Sequence, residues 1–429
     1  MKVRTAPITE VMAKVIAGRR LDEQTWSKEL KPLLDGLPHR SGFEIRRLVA
    51  VWASDSIEID PAVRSDVKKT LSDFGYLNSE RSTLGDPRDR APGTPSSRFR
   101  TLEARNVTSP SRTFEKLRAL VAPESAEVTV AVLDTAIDLN HPVLAAALSP
   151  AFASVEESLS RRAPSRPAGL VDSHGAHVAG IASQRTDRVK LLPEPLIDGT
   201  GQLIAPEATI DEVVRAGARV VNLSLATNTA EEVAVLERAI LAHPETLFVL
   251  GAGNKHLALG EGDFSPQTHL AARDYPNLEV VTSARSDGVI AWSAATGADI
   301  AARGDGVLST VMLPAGRQRA EAEAGYDVMS GTSMATPQVA SAAARCLVLD
   351  PSLTPVELRR VLSVSCDVSE NWDALVSSGG TLNDERACAV VAARVLVSRG
   401  ETPAAAVARL PVPASEKPKI LQALEQLSA

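Results

Sequence analysis

Apolar positions in this chain follow two regimes. Over residues 1 to about 80 they recur at mostly helical spacing: Val11, Ile16, Leu21 and Trp26, then Leu30, Leu33 and Leu34, then Phe43, Ile45, Leu48 and Val51, and finally Val63, Val67, Leu71 and Phe74. Pro61 is suited to open the last of these segments, because a first helical turn has no use for its missing N–H. The pattern predicts a small helical N-terminal domain over residues 1–82, a bundle of roughly three or four helices. A polar stretch rich in Pro and Gly follows, from Gly85 to Arg98 at its densest, and residues 83–112 read as a linker with no core of its own.

From Thr113 the texture changes again. Continuous apolar, β-branched runs predict strands at Val128–Leu133, Arg219–Leu225, Thr246–Gly251 and Glu279–Ser283. Between and after them lie helical stretches at Thr209–Ala216, Glu231–Ala242 and Thr332–Val348. Buried runs alternating with helices predict an α/β fold, a mostly parallel sheet flanked by helices, over residues 113–394. Residues 395–429 are read as a helical C-terminal extension. In such sheets functional groups gather beyond the carboxyl ends of the strands.

Composition narrows the classes. The 429 residues are 44% apolar and 23% charged, ordinary for a globular chain, but only 3% aromatic, so the core must be built from Ala, Val, Leu and Ile. A net charge of −7 and the lack of a long basic run argue against nucleic acid as a partner. No run approaches the ~18 apolar residues of a membrane span. Lys14 and Arg19-Arg20 interrupt the N-terminal apolar positions, which argues against a secretory signal. Three cysteines, Cys346, Cys366 and Cys388, do not make a disulfide framework and suit buried thiols in a reducing compartment. A cytoplasmic location is therefore expected.

Four short segments can carry chemistry. Asp134 ends the run from Val128, at the carboxyl end of a predicted strand; by itself it reads equally as a turn or helix cap. His174 and His177 stand three apart in the small-residue run Asp172–Ser183, at the start of a predicted helix. Their spacing would put both on one helix face, as a metal pair needs, but no third ligand and no His-Glu-x-x-His pattern accompanies them. His174 is preferred as the reactive one, with His177 as packed structure. Ser333, behind Gly331-Thr332, begins a helix rich in small residues, whose free N–H groups and partial positive charge favour an oxyanion; alone it reads as a plain N-cap. Asn254 follows the strand ending at Leu250-Gly251, and its amide is a candidate donor or a simple loop asparagine.

Taken together, these segments resemble the subtilase family of serine proteases. Asp134-Thr135-Ala136-Ile137-Asp138 is similar to that family's aspartate motif, His174–Gly180 to its histidine motif, and Gly331–Pro337 to its serine motif, in the family's order of Asp, His, Ser. Val220–Leu225 resembles the strand lining the substrate cleft there. The resemblance covers about residues 115–390 and implies Asp134, His174 and Ser333 as catalytic triad and Asn254 as side-chain donor of the oxyanion hole. It also implies a substrate pocket bordered by Leu223, Ser224, Leu225, Ala226, Ala252 and Gly253. Ala136 stands where the family usually has Gly, Ala176 where it has Thr, and Ala226 where it has Gly. Val143 follows His141-Pro142 where many relatives carry a calcium-binding aspartate, and an apolar side chain cannot offer calcium an oxygen. No metal and no cofactor is expected.

The resemblance implies a serine endopeptidase acting on peptide or protein substrates, regulated or restricted if it shares a cytoplasm with them. The rival is a binding module with a subtilase fold and no activity; a metal-dependent hydrolase using His174 and His177 is a poorer one. For residues 1–82 the helical pattern favours an adaptor for a protein partner or trigger over an inhibitory prodomain or plain structural support.

Overall fold

The computed structural model describes residues 11, 15, 20–35, 58–73, 111–162, 172–198, 201–227, 229–254, 258–259, 266, 269–285, 288–291, 294–312, 325–370, 372 and 375–428. The chain forms two compact units, Met1–Thr94 and Pro95–Ala429.

In the smaller unit a π-helical segment, Thr25–Leu30, runs on into the helix Lys31–Asp35. A second helix spans Pro61–Asp73, with proline opening it. Trp26, Leu30, Leu34, Val63 and Val67 are buried, as the helical spacing requires. Asp66 ties the two helices together, accepting from Trp26 Nε1 at 2.9 Å and pairing with Lys31 at 2.5 Å. Two strands of two residues, Arg20–Leu21 and Glu58–Ile59, pair in parallel, too short to leave an alternation in the sequence. Ile16, Phe43, Ile45, Leu48, Val51 and Phe74, and all of the expected linker up to residue 110, lie outside the described residues.

Among the described residues the larger unit opens with helix α1 (Arg112–Val121), capped by Ser111, and enters strand β1 (Val128–Asp134). Helices α2 (Pro142–Ala147), α3 (Phe152–Arg162) and α4 (His174–Ala182) precede β2 (Val189–Pro195). Then come α5 (Pro206–Arg215), β3 (Ala218–Leu223), α6 (Ala230–Ala242), β4 (Leu247–Gly251), β5 (Leu278–Ala284), β6 (Ile300–Arg303) and the hairpin β7 (Val307–Thr310) with β8 (Tyr326–Met329). Helix α7 (Thr332–Leu349), α8 (Pro355–Val364), strands β9 (Asp367–Val368) and β10 (Gly380–Thr381), and helices α9 (Asp384–Ser398), α10 (Pro403–Arg409) and α11 (Lys417–Ser428) complete it. The main sheet has eight strands in the order β9-β10-β6-β5-β4-β3-β1-β2. β10 runs parallel to β6 like the other strands, and only the edge strand β9 is antiparallel to its neighbour.

The continuous apolar runs are explained by burial on both faces. Along β1, Val130 and Val132 face one core with α1, α4, α7 and α9, while Ala131 and Leu133 face the other with α3, α5 and α6. Helix α7 passes through the first core with every residue buried except Ser333 and Gln338, which its small side chains permit. The expected boundary at residue 394 falls inside α9, and α10 and α11 contribute Ala406, Ile420 and Ala423 to the same core. No described helix is long and apolar enough to cross a membrane.

Candidate active site

Asp134, Ser224 and Asn254 all lie at or just beyond the carboxyl ends of β1, β3 and β4, neighbours in the sheet. His174 and Ser333 arrive on the first turns of α4 and α7, the two helices packed over that edge.

Asp134 is fully buried and His174 lies against it, Nδ1 to Oδ1 at 2.6 Å. A carboxylate only accepts, so Nδ1 carries the proton and Nε2 is left bare. A small network fixes this geometry: Thr135 N–H donates to Asp134 Oδ1 at 2.7 Å, Thr135 Oγ1 donates to Asp172 at 2.6 Å, and that carboxylate accepts the His174 N–H at 2.8 Å. Gly175 N–H donates to Thr135 Oγ1 at 2.8 Å, an approach that needs glycine, because a Cβ there would stand 2.3 Å from the Thr135 carbonyl oxygen. Burial opposes charge on His174, but the Asp134 carboxylate, its hydrogen bond and Asp172 together outweigh it and raise the pKa above 6.5.

Ser333 is half-buried as the second residue of α7, where its backbone N–H has no intrahelical acceptor. Gly331 turns the chain into the helix with φ 148°, a conformation open to glycine. Pro337 lies one turn on and cannot donate to the Ser333 carbonyl. The Ser224 hydroxyl fills the gap at 3.0 Å, and is itself held by Asn222 Nδ2 at 3.0 Å. Ser333 Oγ donates to the Ser224 carbonyl at 3.4 Å, and no described residue bonds His174 Nε2. Such bonds are commonly loose before substrate arrives.

Asn254 is exposed, yet its orientation is set: Oδ1 accepts from the Thr332 N–H at 2.9 Å and from Thr332 Oγ1 at 3.1 Å. Its Nδ2 is thereby left as a donor, and lies 3.4 Å from the point a Cβ on Gly331 would occupy.

The structure therefore brings Asp134, His174, Ser333 and Asn254 to one sheet edge. The subtilase family model matches residues 125–381, well over half of the chain. The chain belongs to the subtilase family. It is 27% identical over 274 residues to the thermophilic serine proteinase of Bacillus sp. (strain AK1), covering 60% of this chain and 61% of that one. To subtilisin E of Bacillus subtilis (strain 168) it is 27% identical over 245 residues, covering 54% of this chain and 58% of that one. This subtilase thus spans about three-fifths of the length of these relatives. The fold is similar to the solved structure of the subtilase cytotoxin SubAB assembly, with a TM-score of 0.51, 17% identity, and 68% of this chain and 97% of that one covered.

In this subtilase the side chains of Leu223 and Ala252, two of the residues expected to border the pocket, are fully buried in the core at the ends of β3 and β4. Leu225 is buried there too, and of the six residues Ala226 alone has an exposed side chain; Ser224 works through its hydroxyl and carbonyl. The positioning groups Asp172, Thr135 and Thr332 were not anticipated; an Asp two residues before a helix-opening histidine is the usual signature of an Asx turn and would have found the first. His177, one turn along α4, is fully buried, its Nε2–H shared between the carbonyls of Val307 at 3.0 Å and Asp327 at 3.1 Å. Burial lowers its pKa to about 4, and it serves as packed structure. Among the described residues no group of three His, Cys, Asp or Glu side chains is arranged to hold a metal. Val143 donates its N–H to His141 Nδ1 at 3.3 Å in the first turn of α2.

Proposed function

We propose that this chain is a serine endopeptidase that hydrolyses peptide bonds through an acyl-enzyme formed on Ser333. Its main support is the 2.6 Å Asp134–His174 pair, together with a serine at the start of a helix packed over the same sheet edge, in a subtilase. His174 Nε2 takes the Ser333 proton as Oγ attacks the scissile carbonyl, then returns it to the leaving amine. Asp134 holds the imidazole in the required tautomer and stabilises the imidazolium. Asn254 Nδ2 and the Ser333 N–H receive the oxyanion. Water then hydrolyses the acyl-enzyme, with His174 again the base.

The peptidase occupies residues 113–394, with the helical extension to 429 continuing α9 and packed into the same core, and residues 1–82 serve as an adaptor for a protein partner. The separate N-terminal unit and the helices it contains support this reading. Three buried, unpaired thiols support an intracellular setting, where restricted substrates would protect the host. A fluorophosphonate probe on purified full-length protein tests the chemistry: labelling of wild type and not of Ser333→Ala is expected, and absence of labelling in both favours an inactive binding module. Intact mass of labelled protein tests the adaptor, which predicts a lasting full-length species; loss of the N-terminal segment on activation would assign it as a prodomain.

A further inference from the structure

Strand β3 carries a polar side chain into the core that surrounds α7. Side chains alternate along a strand, so Asn222 points to the same face as Val220, opposite Val221 and Leu223. In the sheet it stands between Val132 of β1 and Val249 of β4, both members of that core, and it is fully buried. A buried amide costs stability unless both of its ends are paired. Asn222 is paired at one end: Nδ2 donates to Ser224 Oγ at 3.0 Å, while Oδ1 is buried and meets no donor. An apolar side chain of the same size would suit the position as well, so what Asn222 supplies is the bond to Ser224.

The direction of that bond follows from the single proton of a hydroxyl. Ser224 Oγ gives its proton to the Ser333 carbonyl at 3.0 Å, the group that Pro337 leaves without a helical donor, and so accepts from Asn222. The Ser224 carbonyl in turn accepts from Ser333 Oγ at 3.4 Å. Ser224 therefore meets Ser333 at both its backbone and its side chain, and Asn222 fixes the rotor of the Ser224 hydroxyl. Bonds in such a chain polarise one another.

We propose that Asn222 is a positioning residue for the nucleophile: by donating to Ser224 it holds that hydroxyl on the Ser333 carbonyl and so sets the placement of Ser333. The inference rests on Ser333 being the nucleophile of the proposed peptidase. Asn222 touches no reacting atom and acts through Ser224.

Asn222→Leu tests this, since it keeps the size of the side chain and removes both the donor and the orphaned carbonyl. In the full-length chain the rate of fluorophosphonate labelling should fall about tenfold, with kcat on a peptide ester falling alike and KM unchanged. Urea unfolding, run with Ser333→Ala to prevent self-digestion, should show a midpoint unchanged or raised. An unchanged labelling rate, or a loss of rate matched by a loss of stability, overturns the proposal. Ser224→Ala should slow labelling too, and Asn222→Leu added to it should slow labelling no further, because the two act as one unit. Full additivity also overturns the proposal. If leucine is not accommodated against α7, Asn222→Ala takes its place and the additivity test decides. Amide exchange over residues 331–338, again with Ser333→Ala, separates this inference from the reading beneath it. An unlabelled wild type would sink the peptidase reading, and faster exchange there on Asn222→Leu would still support the positioning role. Unchanged exchange with no labelling would overturn both.

Discussion

Acid should loosen the larger unit through His177, and the size of the effect follows from its surroundings. Burial holds the neutral ring and lowers the folded-state pKa from 6.5 to about 4, against the opposing pull of the Asp327 and Val307 carbonyls. The unfolded chain therefore takes up a proton as pH falls through 6.5, while the folded chain resists until about 4. Stability from this residue is complete above 6.5 and is lost between 6.5 and 4: about 2 kcal/mol is gone at pH 5 and about 3 kcal/mol near pH 4. Urea unfolding at pH 7.5, 5 and 4 measures this in the Ser333→Ala background, with and without His177→Gln. Glutamine keeps a donor for the two carbonyls but does not titrate. Its variant should start less stable at pH 7.5 and then lose about 2 kcal/mol less on going to pH 5. His141, also held neutral by burial, is common to both proteins and cancels. Parallel pH dependences in the two proteins would refute the reasoning.

Asn254→Ala should lower kcat by about 10²–10³ with little change in KM, a magnitude carried over from subtilisin, the reference case for this donor; steady-state kinetics on a peptide ester checks it. The rate should fall as pH drops through a value above 6.5, because His174 must be neutral to take a proton; Asp134→Asn should shift that limb downward, since burial then meets only Asp172. Gly175→Ala should cost about 1–3 kcal/mol and reduce probe labelling, as its Cβ would stand 2.3 Å from the Thr135 carbonyl oxygen. Ser224→Ala strands the Ser333 carbonyl that Pro337 cannot serve, and chemical denaturation should register a loss of about 1–3 kcal/mol.

What could be read from the chain was local and strong. The uninterrupted run from Val128 to Leu133 announces a strand buried on both faces, and Asp134 then stands at its open end. Small residues behind Gly331 announce a helix that can pass through a core. Strand β2 was not anticipated because Lys190, Pro193 and Pro195 break its pattern; as the last strand of the sheet it tolerates missing donors. Strand β6, four residues with two alanines, carries too little signal. That the Leu223 and Ala252 side chains pack into the core was not legible for a different reason: a small apolar residue near a strand end suits a pocket wall and a sheet core equally, and only tertiary packing separates them. The Thr332–Asn254 and Thr135–Asp172 bonds join residues 78 and 37 apart, beyond any periodicity.

The two bonds from Thr332 to Asn254 tie the proposed oxyanion donor to the proposed nucleophile, since Thr332 immediately precedes Ser333. Asp134 and His174 form a second tied pair, joined through Thr135 and Asp172. No described bond joins the two pairs at His174 Nε2, and Ser333 Oγ instead donates to the Ser224 carbonyl. On the proposed mechanism, a peptide carbonyl would find its polarising site already assembled in the resting protein. Proton transfer would wait only on the local approach of the His174 and Ser333 side chains, because α4 and α7 already pack against each other.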